Sequence, residues 1–275
     1  MFAKIFLSIG ALLAIALLVL VILRVRNEKE VSRIWQTLEA KPAGELFTED
    51  MVIALPAPAK RYFLHAIAPG TPLATSVSLE MRGSFRTGQD KQWLPMQAKE
   101  IISAKGFVWK ATIGRGLFQL PGADYYVNGL GRMRFSLWGL LPFVNAHSPD
   151  ITRSSIGRLA GEFIWLPSAL LPQQGVSWET IDEKTTQASL KIDGEPIMLR
   201  LVVDTDGKLL KVSLPRWSNQ TKDGSWTYIP FGCKAQEERS FGGFTIPSQM
   251  SGGWWFGREQ YFEFLQAKIE RAEFR

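Results

Sequence analysis

The stretch Ser154–Trp178, SSIGRLAGEFIWLPSALLPQQGVSW, decides how the chain is read. Its first half has helical spacing. Ile156, Leu159, Ala160 and Phe163 share one face of a 3.6-residue repeat, and Arg158 and Glu162, four apart, lie on the other, where they can pair in solvent. Thr152 or Ser154 can cap the start, because a side-chain oxygen accepts from the orphan N–H groups there. Pro167 ends the helix, since the residue before a proline is driven out of the α region. The string that follows, Trp165-Leu166-Pro167-Ser168-Ala169-Leu170-Leu171-Pro172, is too apolar for a loop in water. It must cover the sheet, a ligand or the bilayer.

On both sides of this insertion the chain reads as strands. Val77, Leu79, Met81 and Phe85 alternate with polar residues, a half-buried strand of period two. Thr87–Asp90 turns it into Trp93–Ser103, and Lys105-Gly106 leads to Phe107–Ile113. Asp124–Val127 runs into Asn128-Gly129, a tight-turn pair, and Arg132–Trp138 returns. After the insertion come 176–181, 187–192, 197–203 and 209–214, with hairpin signals at Asp193-Gly194 and Asp206-Gly207, then 226–230, 245–252 and 261–271. Consecutive strands joined by short turns predict an antiparallel sheet. So many of them would curl into an open half-barrel, giving an α+β fold with the helix and apolar loop in its concave face.

The amino terminus carries a different signal. Ile5–Leu23 is an apolar run interrupted only by Ser8 and Gly10, with Lys4 before it and Arg24 and Arg26 after. At about 1.5 Å per residue it covers roughly 28 Å, close to the ~30 Å of bilayer hydrocarbon. We read residues 1–26 as an uncleaved signal anchor, with a cleaved signal peptide as the alternative. The expected partner is the bilayer, in a single pass. Residues 27–54 follow as an amphipathic helix and linker: Val31, Ile34, Trp35 and Leu38 keep helical spacing and Lys41-Pro42 stops it. Pro58 should open a short helix reaching Ile67. Residues 55–275 are expected to form one domain. Arg24, Arg26, Lys29 and Arg33 lean towards a cytoplasmic domain by the positive-inside rule, but a long domain can translocate against that bias.

Composition excludes more than it assigns. The net charge is +6, with 46% hydrophobic and 12% aromatic residues, ten Trp and one Cys. Cys233 alone forms no intrachain disulfide. A small, partly juxtamembrane basic excess disfavours nucleic acid. His65, His147 and one cysteine show no zinc-ligand spacing, and no cofactor motif is complete, so neither metal nor cofactor is expected. No nucleophile-elbow motif is present; Ser168 with His147 and Asp150 is a conceivable triad that nothing in the spacing demands. Glu162 would titrate high if buried beside Trp165. Arg132 and Arg134 share a strand face with Ser136 and Trp138, a combination suited to a lipid phosphate or to the membrane interface, or simply to a solvated face.

LPAPAKRYFLHAI (Leu55–Ile67), GFVWKA (Gly106–Ala111), DYYVNGLGRM (Asp124–Met133) and, above all, RLAGEFIWLPSALLPQQGVSWETID (Arg158–Asp182) resemble a bacterial family of unknown function, the domain-of-unknown-function 6544 or 6920 type. The likeness implies no catalytic role for any position. The order of elements is also similar to envelope lipoprotein carriers of the LolA/LppX kind, in which a curled sheet holds acyl chains. That second likeness implies an extracytoplasmic domain, against the charge bias.

The expected function is therefore a membrane-anchored protein binding an apolar or acyl ligand on the concave face. Trp109, Trp138, Phe163, Trp165, Leu166, Leu170 and Leu171 would be the wall, and Arg132, Arg134, His147, Asp150, Arg158 and Glu162 the polar groups. One alternative is a structural or partner-binding protein whose WLPSALLP segment is simply core. The other is a hydrolase or isomerase using His147, Asp150 or Glu162.

Overall fold

A computed structural model of the chain describes residues 2–39 and 44–275. Helix α1 (Phe2–Leu38) leads without a break, and α2 (Ala57–Ala66) follows. Six strands come next: β1 (Ser76–Phe85), β2 (Leu94–Ser103), β3 (Gly106–Arg115), β4 (Phe118–Val127), β5 (Leu130–Leu137) and β6 (Leu141–Ala146). Helix α3 (Pro149–Glu162) and three 3-10 turns (Phe163–Trp165, Pro167–Leu170, Pro172–Gln174) form the insertion. Seven strands complete the chain: β7 (Ser177–Thr180), β8 (Thr185–Ile192), β9 (Glu195–Val203), β10 (Leu209–Ser218), β11 (Thr227–Phe241), β12 (Phe244–Trp254) and β13 (Phe262–Phe274).

The 13 strands make one antiparallel sheet, ordered β6-β5-β4-β3-β2-β1-β13-β12-β11-β10-β9-β8-β7. The pairing of β1 with β13 joins an amino-terminal arm to a carboxy-terminal arm. The edges β6 and β7 do not pair, so the barrel stays open. The curl follows from two contacts. The Tyr126 hydroxyl on β4 donates to Asp193 in the β8–β9 turn, eight strand spacings away in the sheet order. Flat, that would be roughly 38 Å at about 4.8 Å per strand. Likewise α3 packs on β4 and β5 of one arm and on β9 and β10 of the other. Gly157 permits the second approach: a Cβ there would lie 2.9 Å from Arg216 Cγ.

The concave side is filled by the insertion. Leu159, Leu170 and Leu171 have no exposed surface, and Phe163, Trp165 and Leu166 are buried in the same cluster as Val77, Leu79, Trp109 and Leu201. The WLPSALLP segment is core. Its main-chain hydrogen bonds are local, for example Leu166 N–H to Phe163 O and Ala169 N–H to Leu166 O. It is tied to the rest by side chains: Trp165 Nε1 donates to Pro247 O (3.0 Å), Trp178 Nε1 to Leu170 O (3.0 Å), and the Ala74 amide to Ser168 Oγ (3.2 Å).

The structure differs from the sequence reading in several places. The cap of α3 is Ser148, whose Oγ accepts from the Ile151 amide, because Pro149 occupies the first turn and starts the helix earlier than Thr152 or Ser154 would. Pro58 sits one residue inside α2, with Pro56 at the cap. Strand β4 begins at Phe118 rather than Asp124, and β6, Leu141–Ala146, was not anticipated, since four of its six residues are exposed and alternation is lost. The helix stop assigned to Lys41-Pro42 lies outside the described residues.

Helix α1 continues past its apolar run onto the convex face. Val31 and Leu38 are buried against Ile101, Val108, Ala123 and Tyr125, with Ile34 and Trp35 alongside. Its residues from Phe2 to Val25 are mostly exposed, and it is the one described helix long and apolar enough to cross a membrane.

Candidate functional site

Two regions bring charged groups together, on opposite faces of the same sheet. The first lies inside the curl. Arg158 does not face solvent beside Glu162; it projects between the arms. Its Nε donates to Glu162 (2.6 Å), Nη1 to Asp124 on β4 (2.6 Å) and Nη2 to Glu100 on β2 (3.0 Å). Its guanidinium lies over Phe107 (4.5 Å) and Trp109 (5.0 Å) on β3. Arg216 on β10 approaches from the other arm. It donates to Ser154 O (3.0 Å) and is sandwiched by Phe231 (4.9 Å) and Trp254 (4.8 Å). The helix cannot expose Arg158, because sheet surrounds it on both sides.

Three carboxylates thus meet two guanidinium groups out of water, one negative charge in excess if all are ionised. Glu100 Oε2 and Glu162 Oε2 have no donor. Burial first, and then the neighbouring Glu162 carboxylate, hold Glu100 well above the usual carboxylate range, against the pull of Arg158. Burial also raises Asp124 and Glu162, each offset by Arg158. Arg158 itself is held above its ordinary value: burial works against its charge, but the three carboxylates outweigh it. Burial, then the nearby positive charge of Arg158, brings Arg216 down to about 10. Burial pushes the Cys233 thiol up to about 12, which makes it a poor nucleophile. One proton kept among the carboxyls removes the excess charge and lets one donate to another.

Chemically this cluster is a clamp. Arg158 ties α3 to β2 and β4 while Arg216 ties it to β10, so the same pairs that hold the insertion hold the curl. The cluster does not line the groove on the other face of the sheet.

The second region is a groove of about 500 Å³ between α1 and the convex face. Arg24, Asn27, Glu28 and Val31 form one side; outward residues of β1 to β5, among them Glu80, Arg82, Lys99, Lys110, Tyr125 and Arg134, form the other. Its charges are largely paired: Arg24 with Glu28 (2.8 Å), Lys99 with Glu80 (2.7 Å), Arg82 with Glu270 (2.9 Å) and Arg134 with Glu30 (3.5 Å). Tyr125 Oη donates to Glu30 (2.6 Å). Burial tends to raise Glu30, but that bond and the two arginines hold it below the usual value. Lys110 makes no ion pair among the described residues and faces the groove.

The residues singled out by sequence fall into separate groups. Trp109, Phe163, Trp165, Leu166, Leu170 and Leu171 are together inside the curl with Arg158 and Glu162. Arg132 and Arg134 are on the convex face, Arg132 beside Asn145 (3.4 Å) and Arg134 beside Glu30. Trp138 is not on the strand face but in the β5–β6 turn, half-exposed, with φ of 55°. His147 is exposed, Asp150 Oδ1 accepts from Trp217 Nε1 (2.8 Å), and Ser168 is buried on the Ala74 amide. No hydrogen bond joins Ser168, His147 and Asp150 among the described residues, so the triad geometry is absent there. Sequence reasoning missed Glu100, Asp124 and Arg216. Each had a signal: a charge in line with inward apolar residues, Ala98 and Ile102 for Glu100, Leu120 and Tyr126 for Asp124, Val212 and Leu214 for Arg216.

Comparison with solved structures finds distant likenesses, of which two follow. A LolA superfamily protein from Nitrosomonas europaea is similar at 9% identity and a TM-score of 0.40, over 80% of this chain and 92% of that one. A candidate outer membrane lipoprotein-sorting protein domain from Vibrio parahaemolyticus is similar at 10% identity and a TM-score of 0.40, over 73% of this chain and 85% of that one. No curated protein matches the chain. The sequence profile of a family of unknown function, DUF6920, matches residues 53–274, and the chain belongs to that family.

Proposed function

We propose that this is a membrane-anchored binding protein, held by α1, whose binding surface is the groove between α1 and the convex face of the sheet. The ligand class that fits is an amphiphile with an anionic headgroup, such as a lipid phosphate. The observation that carries this is Lys110, a cation without a counter-ion among the described residues, in a cavity of about 500 Å³, large enough for a headgroup. Arg24, the residue that follows the apolar run, lines the cavity. An ammonium there costs little in water but gains a charge-assisted bond once a phosphate arrives. Titration of the full chain in non-ionic detergent with short-chain phosphatidate and, separately, phosphatidylcholine tests it. Saturable binding of the anionic lipid, weakened about tenfold or more by Lys110→Glu, is expected. Equal binding of both lipids, or indifference to Lys110→Glu, overturns it.

A second reading keeps the concave face as the site of an acyl chain, with Phe163, Trp165, Leu166, Leu170 and Leu171 moving aside. What favours it is the local main-chain bonding of residues 163–175: no ladder need break for the segment to leave. What weighs against it is burial, because a departing Leu170 or Leu171 would expose side chains now fully enclosed.

A further inference from the structure

Outside α1, eleven large hydrophobic residues are exposed among the described residues, and five of them, Leu117, Phe118, Trp138, Leu141 and Phe143, sit at one corner of the sheet. They belong to the β3–β4 turn with the start of β4 and to the β5–β6 turn with the start of β6, which the pairing of β4 with β5 brings side by side. The corner is built rather than frayed. Trp138 Nε1 donates to Leu117 O (2.9 Å), the Trp138 amide to Gln119 O (2.9 Å), and the Phe118 and Phe143 rings meet edge to face at 6.4 Å. Leu117 is 88% exposed. Turn tips in water are normally polar, so five apolar side chains at one tip mark a contact surface.

The position of α1 says what covers it. The Arg24 guanidinium lies against Gly139, the residue after Trp138: a Cβ at Gly139 would be 3.0 Å from Arg24 Nη1. Arg24 directly follows Leu23, the end of the apolar run. The corner is therefore level with the point where α1 would leave hydrocarbon. The rest of α1 leads away from it, to Glu39, which pairs with Arg275 at 3.1 Å. Arg115, at the end of β3 where it pairs with Phe118, is exposed and adds positive charge to the corner. Tryptophan, phenylalanine and arginine at that depth suit the headgroup–acyl boundary, where an amphipathic ring has both of its solvents.

We infer that this corner docks into the interfacial layer of the bilayer that α1 enters, fixing the sheet's tilt and the groove's mouth against the headgroups. The inference rests on the reading of α1 as a membrane span. It gives the domain a second, shallow attachment, independent of any ligand.

The test uses the full chain, with Cys233→Ala, in vesicles of mixed zwitterionic and anionic phospholipid. Leu117→Cys and, as a control on the opposite arm, Met198→Cys are each labelled with a polarity-sensitive dye. Quenching by lipids carrying a nitroxide high on the acyl chain is expected to be more than about threefold stronger at 117 than at 198, with a blue-shifted emission. Equal, water-like emission at both sites in a chain that resists carbonate extraction overturns the inference alone. Loss of the chain to carbonate overturns the span and the inference with it.

Discussion

The two faces of this sheet have been treated in opposite ways. On the concave face, α3 and the 3-10 turns occupy the space and bury five ionisable groups with them. On the convex face, α1 covers only part of the surface and leaves a groove whose charges still meet water. Both faces carry arginines next to acids and aromatics, and both look similar in sequence. They differ in whether the ion pairs are needed for the fold. Inside, Arg158 and Arg216 hold two arms of a sheet around one helix. Outside, the pairs can be exchanged for other partners at little expense, because exposed ion pairs contribute only about 0–1 kcal/mol each. A binding surface is expected on the face where charges are free to trade partners.

That contrast can be broken first at the clamp. Arg158→Met leaves Glu100, Asp124 and Glu162 buried with no nearby guanidinium but Arg216, and should destabilise the fold by about 3–5 kcal/mol in a denaturant titration. A loss under about 1 kcal/mol would mean that the cluster is incidental to the curl. Next in size, Leu171→Ala should destabilise by about 2–5 kcal/mol, as expected when a fully enclosed leucine leaves a cavity. A near-neutral result would show that the segment does not fill the interior in solution.

The third prediction is a pH dependence. Unfolded, Glu100 titrates at about 4.3; folded, burial holds it higher. The native state therefore holds that proton more tightly than the unfolded chain does. This contribution to stability is complete below the unfolded value and is lost as the pH rises through the folded one. Glu100→Gln, which cannot ionise, should flatten the decline in melting temperature above about pH 5 and gain relative stability on the alkaline side. An unchanged slope would place the proton elsewhere. Smallest on stability, Lys110→Glu on the convex face should stay within about 0.5 kcal/mol of wild type while weakening anionic-lipid binding.

Much of the architecture was legible in the sequence because it rests on period. The alternation of Val77, Leu79 and Met81, the Asn128-Gly129 turn with φ of 50° and 72°, and the spacing of Ile156, Leu159 and Phe163 are local signals that the structure keeps. The site was less legible, because it depends on what the curl brings together. Arg158 and Glu162 read as a solvated i,i+4 pair, and only a sheet closing over both sides of α3 turns them inward. Glu100 and Arg216 lie more than a hundred residues apart, with no pattern linking them. Trp138 continues the period of β5 on paper, but the chain leaves the strand at Leu137 and turns it towards Leu117. The groove has no sequence signature, since half of its wall is a helix placed there by Val31 and Leu38.

The claim that the convex groove, and not the filled interior, takes the ligand is tested most directly by photo-crosslinking. An anionic phospholipid bearing a diazirine near its phosphate would be irradiated with the full chain in vesicles and the adducts mapped by mass spectrometry. Adducts on the groove, at residues 24–31 of α1 and 97–112 of β2 and β3, are predicted, and they should fall in Lys110→Glu. Adducts concentrated on Phe163–Leu171 and Trp109 would contradict the account and return the ligand to the concave face.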